Sequence, residues 1–263
     1  MTEWRWSVEH GMTVRRAGAG PELVWIHGLG EWSITFDQIA NHPALAGFTH
    51  VLVDLPGYGR SASSNIADDH DSLEQLADHL ISWLGSGARP VLIGHSMGGV
   101  VAALVAERCA VRGLVMIDAN LSAGDCFTSG RIAAFDREAF VAREFAAFKA
   151  ELFERARTEP VLRGYHAAML SADPIAVHRH ATDLVAISER ADLAARLAAL
   201  SMPVLFIAGV PDGICAESRA LLDYHRVHWV AIEPAGHWVF VDQPGPSAEA
   251  IREFLRELAT VST

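Results

Sequence analysis

Lysine is almost absent from this sequence, because Lys149 is the only one in the chain. A Schiff base, a serine–lysine pair or a phosphate-binding loop would each have to use that single residue. Lys149 lies in a stretch whose apolar residues recur at helical spacing, which is typical of a structural helix. The sequence therefore argues against all three kinds of site.

Cysteine is also scarce. The three cysteines, Cys109, Cys126 and Cys215, are far apart and odd in number. They match neither a disulfide framework nor the ligand spacing of a zinc site. We expect a protein of the reducing cytoplasm.

Positive charge and long apolar runs are lacking as well. The formal net charge is −11, from 21 lysines and arginines against 32 acidic residues. Phosphate binding needs a positive surface, so we expect no nucleic-acid partner. No uncharged apolar run is long enough to cross a bilayer, and the first twelve residues do not read as a secretory signal. The oligomeric state stays open.

The chain does contain short apolar runs that alternate with helical patterns. Six runs rich in valine and isoleucine read as buried strands, at residues 22–28, 50–57, 90–96, 113–119, 203–209 and 227–233. Residues 72–87 and the run that follows residue 97 read as helices. This alternation predicts an α/β fold with a mostly parallel central sheet and helices on both faces. Two short strands are expected at one sheet edge, within residues 3–18.

The alternation stops between residues 121 and 200, where only helical patterns occur. In residues 136–157 the apolar residues recur at helical spacing, at positions 141, 145, 148 and 152. We expect a core of residues 1–120 and 201–263 with a helical cap, residues 121–200, inserted between two strands. Such an insertion would lie over the carboxyl ends of the strands, where ligands bind in open α/β sheets.

Ser96 lies in the sequence VLIGHSMGGV, between a predicted strand and a predicted helix. A tight strand-to-helix turn holds its central residue in a strained conformation and exposes its side chain. The residues two positions away must then be small, as Gly94 and Gly98 are. This context favours a nucleophilic serine over a purely structural turn, and it directs the neighbouring His95 away from Ser96.

A serine nucleophile needs a base, and the base needs an acid that orients it. Among the thirteen histidines, His237 follows the last predicted strand in a loop on the same sheet edge as Ser96. Two aspartates also end strands at that edge. We favour Asp212, because it lies on a turn from which its carboxylate could reach the histidine. Asp118, at the end of the strand before the insertion, is the alternative acid.

The remaining requirement is a site for the oxyanion. The backbone amide of Met97, at the start of the helix, is one expected donor, and the amide of Leu29, in the loop HGLGEW, is the other. His27 is expected to brace that loop. Asp54 and Arg60, in the loop DLPGYGRS, are expected to have structural roles.

Together these segments resemble the α/β-hydrolase superfamily. The resemblance rests on five motifs in order, His27-Gly28, Asp54 to Ser61, Gly94 to Gly99, Gly209 to Asp212 and Gly236-His237. It covers the chain outside the insertion, which corresponds to the variable cap of that family. It implies a serine hydrolase with Ser96 as nucleophile, Asp212 as acid and His237 as base, although some members place the acid at the position of Asp118.

The resemblance points to acyl transfer to water and to a carboxylic-ester hydrolase for small or medium acyl esters. A serine at this turn argues against dehalogenase and epoxide hydrolase chemistry, which use an aspartate there. The alternatives are a carbon–carbon bond hydrolase acting on a vinylogous diketone, a thioesterase or lactonase, and a non-catalytic receptor. We expect neither a metal nor an organic cofactor.

Candidate substrate contacts come from residues near the predicted site and from the insertion. They are Trp32, Phe135, His166 and Trp238. The insertion is also rich in phenylalanine, which suggests an apolar pocket, although most of these rings are expected to pack the insertion onto the core. The phenylalanines are Phe127, Phe135, Phe140, Phe145, Phe148 and Phe153.

Overall fold

A computed structural model describes residues 3–61, 72–87 and 89–261. Its centre is an eight-stranded sheet with the strand order β1-β2-β4-β3-β5-β6-β7-β8. The strands are β1 (Arg5–Glu9), β2 (Met12–Gly18), β3 (Glu22–Ile26), β4 (Thr49–Asp54), β5 (Val91–His95), β6 (Gly113–Ile117), β7 (Val204–Asp212) and β8 (Trp229–Gly236). Strands β3 to β8 pair in parallel, whereas β1 and β2 form an antiparallel hairpin whose second strand pairs with β4. The α/β fold predicted from the sequence is confirmed.

The central strands are largely apolar because both faces of the sheet are covered. In β5, Leu92 packs into one apolar cluster, whereas Val91 and Ile93 pack into the cluster on the opposite face. Every residue of β5 and β6 is buried. Complete burial of one such side chain contributes about 1.5–3 kcal/mol to folding.

Twelve α-helices lie within the described residues, and local capping signals mark the start of several. Helix α2 begins with a capping box between Ser72 and Gln75, and Asp173 caps the amides that begin α8. The helices are α1 (Asp37–Ala40), α2 (Leu73–Leu84), α3 (Met97–Ala106), α4 (Phe127–Ala133), α5 (Arg137–Ala139), α6 (Phe145–Arg155), α7 (Leu162–Met169), α8 (Pro174–Glu189), α9 (Leu193–Ala198), α10 (Ala216–His225), α11 (Val239–Asp242) and α12 (Pro244–Val261). Within the described ranges, none of them is long and apolar enough to cross a membrane.

Between β6 and β7 the chain forms helices α4 to α9, and we call residues 121–200 the helical segment. One detail of its predicted pattern is wrong. A π-helical turn, Phe140–Glu144, separates α5 from α6 and advances the register by one residue. As a result Phe140 is fully buried, whereas Val141, which the predicted stripe placed inside, is 38% exposed.

The sheet topology brings several loops to one edge. Strands β3, β5, β6, β7 and β8 are parallel neighbours, so the loops after their carboxyl ends lie side by side. These loops contain Leu29, Ser96, Asp118, Gly213 and His237. The fold therefore collects residues that are up to 208 positions apart, from Leu29 to His237, at a single site.

Candidate active site

Ser96 occupies a strained turn between β5 and α3. Its backbone angles are φ 52° and ψ −124°, a region that side-chain-bearing residues rarely adopt. A Cβ atom added at Gly94 would lie 2.3 Å from the carbonyl oxygen of Gly98, and one added at Gly98 would lie 2.2 Å from that of Ile26. The close backbone approach expected at both glycines is therefore confirmed. The turn exists because glycine alone fits at those positions.

His237 is paired with Asp118. Its Nδ1 lies 2.7 Å from Asp118 Oδ2, and the Asp118 side chain is fully buried. The hydrogen bond places the Nδ1 proton toward the carboxylate, which leaves Nε2 to accept a proton. In the structure the contact to His237 is made by Asp118, the alternative acid of the sequence analysis, and not by the favoured Asp212.

The reason lies in how far β7 extends. The strand continues to Asp212, which pairs with Gly236 of β8 and is exposed. The expected turn begins only after Asp212, and backbone amides on both sides of Asp212 donate to the other aspartate. Asp118 Oδ1 accepts hydrogen bonds from the amides of Gly209 and Ile214, at 3.0 and 3.1 Å. The segment that was expected to supply the acid thus holds Asp118 in place.

Two backbone features let Asp118 reach that position. Asp118 has a positive φ of 46°, which turns the chain away from the direction of β6. Gly213 gives the carboxylate room, since a Cβ atom there would lie 2.4 Å from Asp118 Oδ1. Both features depend on tertiary contacts.

Ser96 and His237 line the same cavity of about 220 Å³. Ser96 is 8% exposed, and its hydroxyl lies 3.5 Å from Asn120 Oδ1, at the outer limit of a hydrogen bond. Such a weak contact leaves the hydroxyl able to turn when a substrate arrives. Asn120 is in turn anchored by donating to the carbonyl oxygen of Asp125 at 3.0 Å.

The two expected oxyanion donors lie next to Ser96. Met97 is the first residue of α3, so its amide is one of the helix-start donors without an intrahelical partner. Leu29 lines the cavity together with Ser96. A Cβ atom on the preceding Gly28 would lie 3.1 Å from Ser96 Cβ, which shows how closely this loop approaches the serine.

A buried carboxylate that the sequence interpretation missed lies beside this loop. Glu31 is 2% exposed and accepts hydrogen bonds from the Gly28 amide at 2.9 Å, from His95 at 3.0 Å and from Trp238 Nε1 at 2.6 Å. Burial opposes its ionisation, but the charge of His95 and the hydrogen bonds from His95 and the Gly28 amide lower the pKa of Glu31 to about 2. The sequence signal is an acidic residue within an otherwise apolar, glycine-containing loop. Asn120 was also missed, although it follows Asp118 by only two positions.

The supporting residues behave as expected. His27 Nε2 accepts the amide of Leu55 at 3.0 Å, which ties two loops of the site together. Asp54 accepts the amides of Ser33 and Arg60, at 2.7 and 2.9 Å. His95 faces Glu31 and the carbonyl oxygen of His237, away from the Ser96 hydroxyl.

Only one of the four candidate substrate contacts reaches the cavity. Trp238 lines it, whereas Trp32, Phe135 and His166 are not among its lining residues. Trp32 precedes a short helical turn, Phe135 packs against Phe140, and the His166 ring contacts Phe153 outside the cavity. Of the phenylalanines in the helical segment, two line the cavity, Phe127 and Phe148.

The cavity wall has two parts of different chemistry. Polar groups from the sheet edge surround Ser96, and the helical segment faces them with apolar side chains and with Arg131 and Arg155. The apolar part includes Phe148, Leu152, Leu162 and Leu184. Among the residues that the structure describes, no group of three or more histidine, cysteine or acidic side chains is arranged to hold a metal ion.

Known proteins resemble this chain over nearly its full length. It is 29% identical to the pimeloyl-[acyl-carrier protein] methyl ester esterase of Aeromonas salmonicida, over 93% of this chain and 99% of that protein. A solved esterase from Thermogutta terrifontis superposes with a TM-score of 0.75 at 25% identity, over 97% of this chain and 99% of the other. An enol-lactonase from Burkholderia xenovorans LB400 shares the fold, with a TM-score of 0.73 at 18% identity over 96% and 100% of the two chains.

The family comparison agrees with the geometry. The sequence pattern of the alpha/beta hydrolase family matches residues 23–250, which extend from β3 into α12. The matched residues include the strained turn at Ser96 as well as Asp118 and His237. The resemblance inferred from the five motifs is thereby confirmed, and this chain belongs to the alpha/beta hydrolase family.

Proposed function

We propose that this protein hydrolyses carboxylic esters through an acyl-enzyme formed on Ser96. The observation that carries the proposal is the pairing of His237 with Asp118 at 2.7 Å, in a cavity that also exposes the strained Ser96. The names of the curated relative and of the solved thermophilic esterase support the same class of reaction.

In the first half of the reaction, Ser96 Oγ attacks the ester carbonyl carbon while His237 Nε2 takes the hydroxyl proton. Asp118 stabilises the imidazolium that forms. The carbonyl oxygen becomes an oxyanion, which the amides of Leu29 and Met97 would hold. The C–O bond to the alcohol then breaks, His237 returns the proton to the leaving oxygen, and the acyl group stays on Ser96.

In the second half, water replaces the alcohol. His237 Nε2 removes a proton from water, whose oxygen attacks the acyl carbon, and the same two amides would hold the second oxyanion. The bond to Ser96 Oγ breaks, and the proton on His237 returns to the serine. The products are one carboxylic acid and one alcohol for each ester and water consumed.

The size and chemistry of the cavity support small or medium acyl groups. The volume of about 220 Å³ and the apolar wall of the helical segment suit an aliphatic or aromatic acyl chain. We infer that residues 121–200 act as a cap over the nucleophile. Because the curated relative is named for a methyl ester, methyl esters of medium-length acids are natural first substrates.

The test replaces the nucleophile. Ser96→Ala should abolish hydrolysis of p-nitrophenyl butyrate and stoichiometric labelling by a fluorophosphonate, while circular dichroism and Tm stay close to wild type. Ser188→Ala is the matched control, because Ser188 is buried in α8 and bonds the carbonyl oxygen of Leu184. If Ser96→Ala kept wild-type turnover, the proposal would be wrong.

Carbon–carbon bond hydrolysis is the second candidate, because Trp238 beside His237 lines the cavity. A parallel assay of p-nitrophenyl esters of graded length and a coloured ring-cleavage dienoate separates the two reactions. Faster turnover of the dienoate would favour the second candidate. Absence of fluorophosphonate labelling in the wild-type protein would instead favour a binding protein without catalysis.

A further inference from the structure

Three loops of the site meet at the carboxylate of Glu31. Its Oε2 accepts the amide of Gly28, from the loop that carries Leu29. Its Oε1 accepts Trp238 Nε1, from the loop that carries His237. His95, the neighbour of Ser96, lies 3.0 and 3.1 Å from the two oxygens. The buried side chain of Glu31 thus contacts Gly28 of its own loop, His95 beside Ser96, and Trp238 beside His237.

The other ring nitrogen of His95 contacts the main chain of His237. His95 Nε2 lies 3.0 Å from the carbonyl oxygen of His237. A carbonyl oxygen and an ionised carboxylate can only accept hydrogen bonds, so both ring nitrogens of His95 must donate. A histidine that donates from both nitrogens is an imidazolium. The contacts therefore describe a buried ion pair between His95 and Glu31, with the His95 side chain fully buried.

Electrostatics support the same protonation states. Burial on its own would lower the pKa of His95, but the Glu31 carboxylate outweighs burial and raises that pKa above its ordinary value. The other titratable groups that face His95 are His27, Asp118 and His237, and the His95 and His237 rings lie 4.7 Å apart. Two carboxylates, Glu31 and Asp118, therefore balance two imidazoliums at the moment when His237 holds the proton.

We propose that the Glu31–His95 ion pair is a positioning device for the hydrolysis, which holds the His237 main chain and the Leu29 loop in place around Ser96. The inference rests on the proposed function, since it assigns no reacting atom to either residue. Glu31 and His95 are positioning residues. Their role is to keep the base and the oxyanion donors at the geometry that the transition state requires, where a displacement of about 1 Å reduces the rate about a hundredfold.

The decisive variant is Glu31→Gln, which keeps the shape of the side chain and removes its charge. Without that charge burial lowers the pKa of His95, so the ring loses a proton and one of its two donor contacts as the pH rises. We expect kcat to fall about ten- to a hundredfold above neutral pH with KM little changed. The wild-type kcat should instead stay level above neutral pH.

Two further variants make this test specific. His50→Gln is the matched control for loss of a buried histidine, because His50 is 4% exposed and bonds Trp25 and Leu45 away from the site. It should keep the wild-type pH profile. Trp238→Phe removes one donor to Glu31 but retains the ion pair, so its loss of kcat should be smaller and independent of pH between 6 and 9.

A spectroscopic measurement tests the ion pair without relying on activity. In ¹⁵N-histidine-labelled Ser96→Ala protein, both ring nitrogens of His95 should show the shifts of an imidazolium at pH 7.5. A neutral His95 in that spectrum would overturn the inference, even if Glu31→Gln failed to fold. A wild-type pH profile of kcat in folded Glu31→Gln would overturn it as well. Failure of the proposed function appears separately, as turnover by Ser96→Ala.

Discussion

The sheet edge and the helical segment face each other across the cavity, and they are held together by different forces. At the sheet edge the carboxylates of Glu31 and Asp118 are buried, and each accepts three hydrogen bonds or close donor contacts from surrounding backbone amides and side chains. In the helical segment the charged pairs, such as Arg131 with Glu151, lie on the surface. The segment contributes apolar side chains such as Leu152 to the cavity wall, and Arg131 and Arg155 also line the cavity.

Because the two regions are held by different forces, we expect them to have different roles. A buried carboxylate is costly unless its hydrogen-bond capacity is used, so removing one partner leaves an unpaired group and disturbs the rest. The sheet edge therefore fixes the reacting atoms within narrow limits. Apolar contacts are less directional, so the helical segment can change the shape of the cavity with little effect on the chemistry. Substitutions at the edge should alter kcat, and those in the segment should alter which acyl group is accepted.

The largest effect is expected at the edge, from Asp118→Asn. An amide at this position can donate a hydrogen bond to His237 and so favour the wrong tautomer, and we expect kcat for p-nitrophenyl butyrate to fall about 10³- to 10⁴-fold. The matched variant Asp212→Asn should leave kcat near the wild-type value, because Asp212 is exposed and bonds neither His237 nor another residue of the site among the described hydrogen bonds. If kcat fell more in Asp212→Asn than in Asp118→Asn, Asp212 would be the acid, as the sequence analysis favoured.

The contrast between these two aspartates also shows what the sequence can and cannot predict. The strand-to-helix turn at Ser96 is a local feature, because its strain and its flanking glycines are encoded within five residues. The choice between Asp118 and Asp212 is not local. It depends on β7 continuing to Asp212 and on the amides of Gly209 and Ile214, which a single sequence does not place.

The burial of Glu31 and the register of the apolar stripe in the helical segment escaped prediction for related reasons. An acidic residue in a loop is ordinarily solvated, and only the packing of His95 and Trp238 around Glu31 makes it a buried partner. In the segment, the π-helical turn Phe140–Glu144 changes the register of the apolar stripe without any change of composition. The helices themselves follow from periodicity, but the residues that reach the cavity follow from how those helices pack.

An intermediate effect is expected in the helical segment, from Leu152→Ala. Leu152 is 3% exposed and lines the cavity, so its truncation should enlarge the space for the acyl chain. We compare kcat/KM for p-nitrophenyl octanoate with kcat/KM for p-nitrophenyl butyrate. In Leu152→Ala this chain-length ratio should rise about tenfold, which is the discrimination expected when an apolar pocket gains room for one or two methylenes. Steady-state kinetics with esters of graded length measure this ratio.

The control for this variant is Leu193→Ala. Leu193 is 1% exposed in α9 but is absent from the cavity wall, so its truncation lowers stability by a comparable amount, about 2–5 kcal/mol, without reshaping the cavity. Its chain-length ratio should equal that of the wild type. Equal ratios in both variants would mean that the segment does not select the acyl group.

The smallest effect on activity is expected from an ion pair that joins the helical segment to the core. Arg196 of α9 donates from two nitrogens to Glu107 at the end of α3, at 2.8 and 2.7 Å, and both side chains are partly exposed. A double-mutant cycle of Arg196→Gln and Glu107→Gln should give a coupling energy of about 1 kcal/mol or less, measured by urea unfolding and reduced by added salt. Because neither residue lines the cavity, kcat and the chain-length ratio should stay at wild-type values. A change in kcat or in the chain-length ratio would show that this ion pair affects the groups around Ser96. The sheet edge and the helical segment would then not act independently.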